Sequence, residues 1–512
     1  MPTPAAQAQE LLRRGHVHAR REEYGRAVEA FTGALDLRPD DAGLYFARGN
    51  AHVAQSQLAL ALDDFTQALE HRPDLSEAWH NRATTHAELG EFADAVLDYT
   101  EAIRLSPDDP DPLIGRGVAL MKLARFDEAR ADFDAALALV PHSGRAVFQR
   151  GLYLAGQGDH PAAIADFTQA LEANPRHGRV YLARALSYAA LGERGPALLD
   201  LTTALRVNPR LVEAYPQRAQ IQFELRKWQN ARDDYTAVLR TDPANPVALN
   251  HRAIASAELG RLDEAIADLS AVIKAAPDDP EGWFNRGLVF ARQKEWDRAA
   301  EEFTRVIELA PDDAAAHLRR GYARLELLDP ERAIADFTRA IELEPDAARG
   351  YAARANAALK SGRPTDALPD ALRATELDAE RPATWFLLGQ VRYELGDAVT
   401  AVADFAKALE LDSDHLPALN SLAWILATTT THVRDPARAL ELANRVAEAT
   451  EHTQAGHLDT LAAANAAMDR FSTAVDWQRK ALAMLPPEDR TEYAERLRLY
   501  EAGLPYLEGR KA

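Results

Sequence analysis

Cysteine is absent from the 512-residue chain. This absence excludes disulfides, iron–sulfur clusters, zinc sites with thiolate ligands and cysteine nucleophiles. No run of 18 apolar residues occurs, and the opening MPTPAAQAQELLRRG lacks the apolar segment of a secretory signal. We therefore expect a cytoplasmic protein with no membrane insertion.

Basic residues are too few to balance the acidic ones. The chain has 59 Lys and Arg against 79 Asp and Glu, which gives a formal net charge of −20. A surface with this charge repels polyanions, so we expect neither nucleic acid nor an anionic membrane as a partner. A single hydrophobic core rarely serves a chain of this length, which indicates several domains or a repeat array.

Proline is present and follows a strict period. Ten prolines recur every 34 residues with no insertion between them: Pro39, Pro73, Pro107, Pro141, Pro175, Pro209, Pro243, Pro277, Pro311 and Pro345. Placing each at position 32 of a 34-residue unit makes the first unit begin at Ala8 and the twelfth end at His415. A period of this length is typical of stacked supersecondary units.

Other positions of the unit keep the same register. Position 20 is alanine in all twelve units, position 8 is always glycine or alanine, and positions 4 and 24 often carry aromatic rings. Each unit has two stretches with apolar residues at i, i+3 and i+4, separated by a short polar turn, which predicts an αα-hairpin. Because one hairpin cannot bury its apolar face alone, the pattern predicts an all-α stack of hairpins.

The residues at positions 4, 8, 20, 24 and 32 together resemble the tetratricopeptide repeat family. The resemblance extends over residues 8–415. It implies a right-handed superhelical α-solenoid of helix-turn-helix repeats. It also implies that the first helices line a concave groove for peptides or partner proteins.

The register breaks after His415. The predicted organisation is an N-terminal tail (1–7), twelve contiguous 34-residue units (8–415), two divergent units (416–488) with a longer connection near 429–436, a capping helix (489–504) and a C-terminal tail (505–512). The strings LAWILAT and RDPARALELA resemble the C-terminal region of large bacterial tetratricopeptide proteins, some of which are fused to serine/threonine kinases. No HRD or DFG tripeptide occurs, so we expect no kinase domain on this chain.

Motifs for catalysis are missing as well. The sequence contains no GxxxxGK[ST], HExxH or GxSxG motif and no EF-hand loop. His16 and His18 are two residues apart, and residues so spaced do not share a helix face, so they do not predict a metal site. We predict no catalytic, metal or cofactor site and a protein that is not an enzyme. No feature predicts an oligomeric state.

Charged residues recur in register at two positions of the unit. Position 7 is arginine in eleven units and position 23 is acidic in eleven. In an antiparallel hairpin whose closest contact joins positions 8 and 20, positions 7 and 23 can approach each other, which predicts a ladder of Arg–carboxylate pairs. The alternative interpretation is a row of arginines that binds an acidic ligand.

The first helices offer a candidate binding surface. In the family that the chain resembles, positions 2, 5, 9, 12 and 13 of the first helix tend to face the concave side. Apolar residues recur at positions 5 and 9 of five units: Ile114, Val118, Phe148, Leu152, Leu182, Leu186, Phe284, Leu288, Leu318 and Tyr322. Two interpretations are open: a groove for an extended peptide or amphipathic helix with apolar anchors, or extra core that neighbouring helices bury.

No motif in this sequence identifies the ligand of the groove. Some family members bind a C-terminal carboxylate of chaperones through a clamp with lysine at position 5, and position 5 is lysine in none of the twelve units, so we expect no such clamp. The predicted function is a non-catalytic scaffold that binds peptide segments or partner proteins. The alternative is a regulatory or target-selecting subunit of a bacterial signalling enzyme such as a kinase or transferase.

Overall fold

The structure, a computed structural model, describes residues 3–508. The chain divides into two compact units, Met1–His251 and Arg252–Ala512. Residues 1–2 of the predicted N-terminal tail and 509–512 of the predicted C-terminal tail lie outside the described residues. All regular structure between residues 3 and 508 is helical, which confirms the predicted all-α helical-repeat fold; the right-handed superhelix stays a prediction.

Odd-numbered helices are the first helices of hairpins and even-numbered helices are the second, except that the last helix follows the final hairpin. The helices of the first unit, with α15 containing the boundary, are α1 (Pro4–Arg20), α2 (Tyr24–Leu35), α3 (Ala42–Ala54), α4 (Leu58–His71), α5 (Ser76–Glu88), α6 (Phe92–Leu105), α7 (Pro110–Lys122), α8 (Phe126–Leu139), α9 (Gly144–Gly156), α10 (His160–Ala173), α11 (Gly178–Ala190), α12 (Arg194–Val207), α13 (Ala214–Glu224), α14 (Trp228–Thr241) and α15 (Pro246–Glu258). Helix α1 begins within the predicted tail 1–7, because Thr3 accepts a hydrogen bond from the backbone nitrogen of Ala6 and caps the helix.

First and second helices alternate in the same way in the second compact unit, Arg252–Ala512. Its helices are α16 (Leu262–Ala275), α17 (Pro280–Arg292), α18 (Trp296–Leu309), α19 (Ala314–Glu326), α20 (Pro330–Leu343), α21 (Ala348–Lys360), α22 (Pro364–Leu377), α23 (Pro382–Glu394), α24 (Ala398–Leu411), α25 (Leu416–Thr428), α26 (Pro436–Ala449), α27 (Ala455–Ala467), α28 (Phe471–Ala483) and α29 (Thr491–Glu501). A 3₁₀ helix, Pro487–Asp489, precedes α29. Residues 504–508 follow α29 without regular structure.

Within each of the two compact units, the two helices of a hairpin contact each other and each hairpin contacts the next. The turn inside each of the twelve hairpins has the same backbone requirement, because the residue at position 15 has a φ between 54° and 84°. Glycine adopts this left-handed conformation without a Cβ clash, and it stands at position 15 in six of the twelve units. The turn geometry therefore belongs to the hairpin and does not depend on glycine alone.

Close contact between the two helices of a hairpin depends on a glycine and a ring. Position 8 is glycine in seven units, and the same seven units have phenylalanine at position 24. A Cβ added at any of these glycines would lie between 2.4 and 2.8 Å from the Cε1 atom of that ring. The five units with alanine at position 8 have tyrosine, leucine or alanine at position 24. The two positions therefore fill one space, and a larger residue at one requires a different residue at the other.

The predicted ladder of Arg–carboxylate pairs is confirmed in ten hairpins. In each pair the arginine Nε and Nη2 atoms both donate to one carboxylate, at 2.6–3.2 Å: Arg48–Asp64, Arg82–Asp98, Arg116–Asp132, Arg150–Asp166, Arg184–Asp200, Arg218–Asp234, Arg252–Asp268, Arg286–Glu302, Arg320–Asp336 and Arg354–Asp370. Each pair joins the first helix to the second. The Nε and Nη2 donors of these ten guanidinium groups are thus occupied by a carboxylate of the same hairpin and are not available to an acidic ligand.

The same arginines also join one hairpin to the preceding one. In at least eight of the ten, Nη1 donates to the side chain at position 25 of the preceding second helix, as Arg184 does to Thr168 Oγ1 at 2.9 Å. The ring at position 4 lies beneath the guanidinium in five hairpins; the Cζ atom of Arg82 is 4.8 Å from the centre of the Trp79 ring. Each such arginine therefore links three helices.

The twelfth hairpin departs from the ladder and compensates for the departure. Position 7 is Leu388, and the carboxylate of Asp404 is 3% exposed. Arg392, one turn further along α23, donates to both oxygens of Asp404 at 2.8 Å. Burial raises the pKa of Asp404 and Arg392 opposes this effect, so the hairpin keeps a cation at the buried acid by another route.

Across residues 3–508, no helix is both long enough and apolar enough to span a bilayer.

Replacing Gly321 by alanine should destabilise the protein by about 1–3 kcal/mol, because the ring of Phe337 must move away from the new Cβ. Adding Phe337→Leu recreates the Ala185–Leu201 combination, so the second change should cost less in the Gly321→Ala background than in the wild type. Urea-unfolding midpoints of the four proteins measure this coupling. Strictly additive losses in the free energy of unfolding would contradict the conclusion that positions 8 and 24 fill one space.

Replacing Arg184 by methionine should destabilise the protein by about 3–5 kcal/mol, because the buried carboxyl group of Asp200, a residue only 3% exposed, loses its partner. The double change Arg184→Met/Asp200→Leu should recover most of this loss, as read from the same unfolding midpoint. The matched control is Arg13→Met, whose pair with Glu10 is exposed and screened by solvent, so this substitution should leave the unfolding midpoint nearly unchanged. Equal effects of the two methionine substitutions would contradict a structural role for the ladder.

Candidate partner-binding groove

The predicted groove residues lie on first helices, two on each. In the unit Met1–His251 they are Ile114 and Val118 on α7, Phe148 and Leu152 on α9, and Leu182 and Leu186 on α11. Helix α7 contacts α9, and α9 contacts α11. In the unit Arg252–Ala512 they are Phe284 and Leu288 on α17, and Leu318 and Tyr322 on α19. We call the side of the first helices that carries positions 2, 5, 9, 12 and 13 the groove face.

Two of the ten residues lie in the core and are removed from the candidate surface. Ile114 is 1% exposed and clusters with Leu113, Ala136 and Ala146, so the second helix of its own hairpin and the next first helix cover it. Leu318 is 7% exposed and belongs to a cluster that includes residues of α20 and α21. A side chain at position 5 is therefore inaccessible to a ligand in hairpins where the following hairpin packs closely over it.

The other eight residues are in part accessible. Leu186 is 43% exposed and Tyr322 is 36% exposed, whereas the remaining six are half-buried. The ring of Phe148 packs against Phe167 at a centroid distance of 5.9 Å, and Phe284 packs against Phe303 at 5.6 Å. Each of these two rings thus contributes to the core on one side and to the groove face on the other. Both interpretations of the sequence, groove and extra core, apply to them.

A pocket opens on the groove face between α11 and α13. It has a volume of about 220 Å³, and its apolar wall includes Leu186, Leu201 and Ile221. The sequence explains its position, because position 24 is Leu201 where seven other units have phenylalanine. At the rim, Arg194 Nε donates to Glu224 Oε2 at 2.6 Å, and this hydrogen bond lowers the pKa of Glu224. The sequence analysis did not identify this pocket, although the leucine at position 24 was a signal for it.

An equivalent pocket lies in the other unit, between α15 and α17. Its volume is about 160 Å³, and Leu269 at position 24 and Leu288 at position 9 line it. Arg292 Nη1 donates to Glu258 Oε1 at 3.1 Å at its rim. Leucine at position 24 is thus accompanied by a small groove-face pocket in both units.

The last hairpins carry a polar cluster that the sequence analysis missed. Arg496 of α29 is 6% exposed and binds Asp459 of α27 through Nε and Nη2, both at 2.9 Å. Gln478 Nε2 also donates to Asp459, at 2.7 Å. Burial raises the pKa of Asp459 and the charge of Arg496 opposes this effect. Asp459 and Arg496 border a pocket of about 410 Å³ on the groove face of α23, α25 and α27.

One histidine–carboxylate cluster lies outside the groove face. Among the described residues, His86, Glu91 and Asp94 place possible metal-ligand atoms within 4.8 Å of one another. His86 Nδ1 and Glu91 Oε2 are 2.6 Å apart and form a hydrogen bond, and both carboxylates are exposed. The same spacing recurs between His18 and Glu23 in the first hairpin, also at 2.6 Å, so the contact is a repeat feature of hairpin turns.

The family model described as Tetratricopeptide repeat matches most of the chain. Its ten matches cover residues 12–63, 46–110, 114–178, 148–201, 182–246, 217–280, 252–314, 284–348, 318–382 and 352–415. No curated protein matches the chain.

Several solved structures are similar to the chain. A tetratricopeptide repeat protein from Parabacteroides merdae is 22% identical over 49% of this chain and 98% of its own, with a TM-score of 0.41. Yeast Tom70 is 17% identical over 97% of this chain and 96% of its own, with a TM-score of 0.35. YrrB, described as a tetratricopeptide protein with an unusual peptide-binding site, is 26% identical over 36% of this chain and 96% of its own, with a TM-score of 0.31.

The different burial of Ile114 and Leu186 predicts different costs for the same kind of truncation. Ile114→Ala should destabilise the protein by about 2–4 kcal/mol, because it leaves a cavity between helices. Leu186→Ala should cost less than about 1 kcal/mol, because much of this side chain already contacts solvent. Urea-unfolding midpoints of both variants check the assignment, and similar losses would place Leu186 in the core as well.

Proposed function

The chain belongs to the tetratricopeptide repeat family, and from this premise we propose that it is a non-catalytic scaffold that binds peptide segments or partner proteins in a concave groove. The proposed site in the unit Met1–His251 is the groove face of α7, α9 and α11 together with the pocket beside Leu186. The groove face of α17 and α19 is the proposed site in the unit Arg252–Ala512.

The accessible apolar row on α7, α9 and α11 is the observation that carries this proposal. Val118, Phe148, Leu152, Leu182 and Leu186 leave apolar surface accessible on three neighbouring first helices, although each hairpin has its own buried core cluster. Folded proteins that act alone rarely leave large apolar patches exposed, and where one occurs it commonly binds a partner. The row therefore supports a ligand with apolar anchors.

The pocket beside Leu186 supports a polypeptide ligand rather than a small molecule. Its volume of about 220 Å³ is below the range of about 300–1,000 Å³ that is usual for small-molecule sites. It suits one apolar side chain, while the amide groups of Gln217 and Gln220 in its wall can bond with a peptide backbone. An extended peptide that inserts one apolar residue beside Leu186 fits these features.

The proposal includes partners other than nucleic acid or membranes, for which the acidic composition is the support. It also includes a cytoplasmic location. The alternative, a regulatory subunit that selects targets for a signalling enzyme, uses the same groove and differs in what is bound. Recovery of one enzyme in stoichiometric amount with the native protein would favour that alternative.

Selection of ligands from a displayed library of random peptides tests the groove. Peptides enriched on the wild-type protein should lose binding by about tenfold or more to Leu186→Glu, because the new charge lies beside the apolar pocket. The matched control is Leu199→Glu on α12, where the leucine is 68% exposed on the second helix of the same hairpin. This control should bind the same peptides as the wild type does, as measured by fluorescence anisotropy.

Two results would count against the groove. One is a set of enriched peptides that bind Leu186→Glu and wild type equally. The other is equal weakening by both glutamate variants, which would indicate a general charge effect. Circular dichroism at matched concentration confirms that both variants remain folded.

A further inference from the structure

Residues 504–508, which we call the return segment, cross back from α29 onto two earlier first helices. The backbone nitrogen of Glu508 donates to the carbonyl oxygen of Thr428 on α25 at 2.9 Å. Glu508 Oε1 accepts hydrogen bonds from Trp424 Nε1 on α25, at 2.6 Å, and from the hydroxyl of Tyr393 on α23. The ring of Tyr506 lies 5.8 Å from that of Trp424.

These contacts are made on the groove face. Tyr393 is at position 12 of the twelfth unit, and Trp424 and Thr428 are at positions 9 and 13 of the unit that begins at Leu416. Positions 9, 12 and 13 are among those that define the groove face of the earlier hairpins. In the last hairpins, therefore, the groove face is already in contact with an irregular polypeptide segment, and that segment belongs to the chain itself.

We propose that the groove face of α23 and α25 is a second binding site, whose ligand is an extended acidic segment of a partner protein with an aromatic residue two positions before a glutamate. The return segment is the resident occupant of this site, and a partner segment displaces it. This inference rests on the proposed function, because it assigns a ligand chemistry to another part of the same groove face.

The chemistry of the site suits a carboxylate. Trp424 Nε1 can only donate, and burial raises the pKa of Tyr393 with the hydrogen bond to Glu508 as the second cause, so the phenol keeps its proton and donates. Hydrogen bonds to an ionised carboxylate are stronger than those between neutral groups. The guanidinium of Arg496, which is paired with Asp459, lies 5.4 Å from the Trp424 ring and 5.5 Å from the Tyr506 ring and packs beside both.

The aromatic residue of the ligand has a defined place as well. Tyr506 is half-buried beside both Trp424 and the guanidinium of Arg496. Arg496 is held in position by a hydrogen bond and an ion pair with Asp459, so the stacking surface exists before a ligand arrives. A ring two residues before the carboxylate can therefore occupy the place of Tyr506 while the carboxylate occupies that of Glu508.

The return segment is only partly buried. It forms no helix or strand, Leu504 is 54% exposed, and residues 505–508 are only half-buried. Segments with few buried contacts open at a small fraction of the global unfolding free energy. A partner segment that makes the same bonds and adds its own contacts can then compete with it.

The test uses the full chain and a labelled peptide with the sequence of residues 503–508, GLPYLE, closed by a C-terminal amide. In the double variant Tyr506→Ala/Glu508→Ala the return segment loses its ring and its carboxylate. This variant should bind the peptide at least about tenfold more tightly than the wild type does, because the site is vacated. Fluorescence anisotropy is measured at peptide concentrations up to about 1 mM.

Three controls define the ligand and the site. The peptide with glutamine in place of the glutamate should bind about tenfold more weakly, because the charge is lost. Adding Trp424→Phe to the double variant keeps a ring but removes the donor, and should weaken binding by a similar factor. Glu488→Ala, in the exposed 3₁₀ helix, should behave as the wild type does.

Absence of binding to the folded double variant would overturn the inference, as would equal binding to the double variant and to the wild type. Binding that the glutamine peptide retains would overturn the acidic ligand chemistry. Leu186→Glu separates the two proposals, since it lies in the other unit and should leave GLPYLE binding unchanged. Library peptides that still bind Leu186→Glu would count against the groove proposal alone, and absence of GLPYLE binding to the folded double variant would count against this inference alone.

Discussion

The buried bidentate pair between an arginine of the first helix and a carboxylate of the second is the interaction on which each regular hairpin depends. It places charged groups in the interface between the two helices, where leaving one of them unpaired would lower the free energy of unfolding. The pair therefore fixes which sides of the two helices face each other. The same guanidinium reaches the preceding second helix through Nη1. One side chain thus specifies both the hairpin and its stacking, and the glycine–phenylalanine contact beside it sets how closely the helices approach.

Much of this arrangement is encoded locally and could be predicted. The 34-residue period predicted the helix pairs, and arginine at position 7 with an acid at position 23 predicted the ladder, because both residues lie within one hairpin. The burial of Ile114 and Leu318 could not be predicted, since it depends on how the next hairpin covers position 5. The return segment was equally beyond prediction, because Glu508 meets Tyr393 across more than a hundred residues that include the part of the chain where the register breaks.

Departures from the repeat coincide with the surfaces that we assign to binding. Leucine in place of phenylalanine at position 24 accompanies the pockets beside Leu186 and Leu288, where the interior is less completely filled. After residue 415 the hairpins diverge, and there the groove face carries tryptophan and tyrosine donors instead of an aliphatic row. The regular positions therefore build the stack, and the irregular ones distinguish one stretch of groove face from another.

The central claim is that first helices bind partners while second helices support them. Site-specific photo-crosslinking tests it most directly, with a benzoylphenylalanine placed at residue 186 on α11 or at residue 199 on α12 of the full chain in cells. Both positions are exposed leucines of one hairpin, so the comparison differs only in the helix that carries the label. The account predicts protein adducts from position 186 and none from position 199. Adducts from position 199 alone would place binding on the second helices and contradict it.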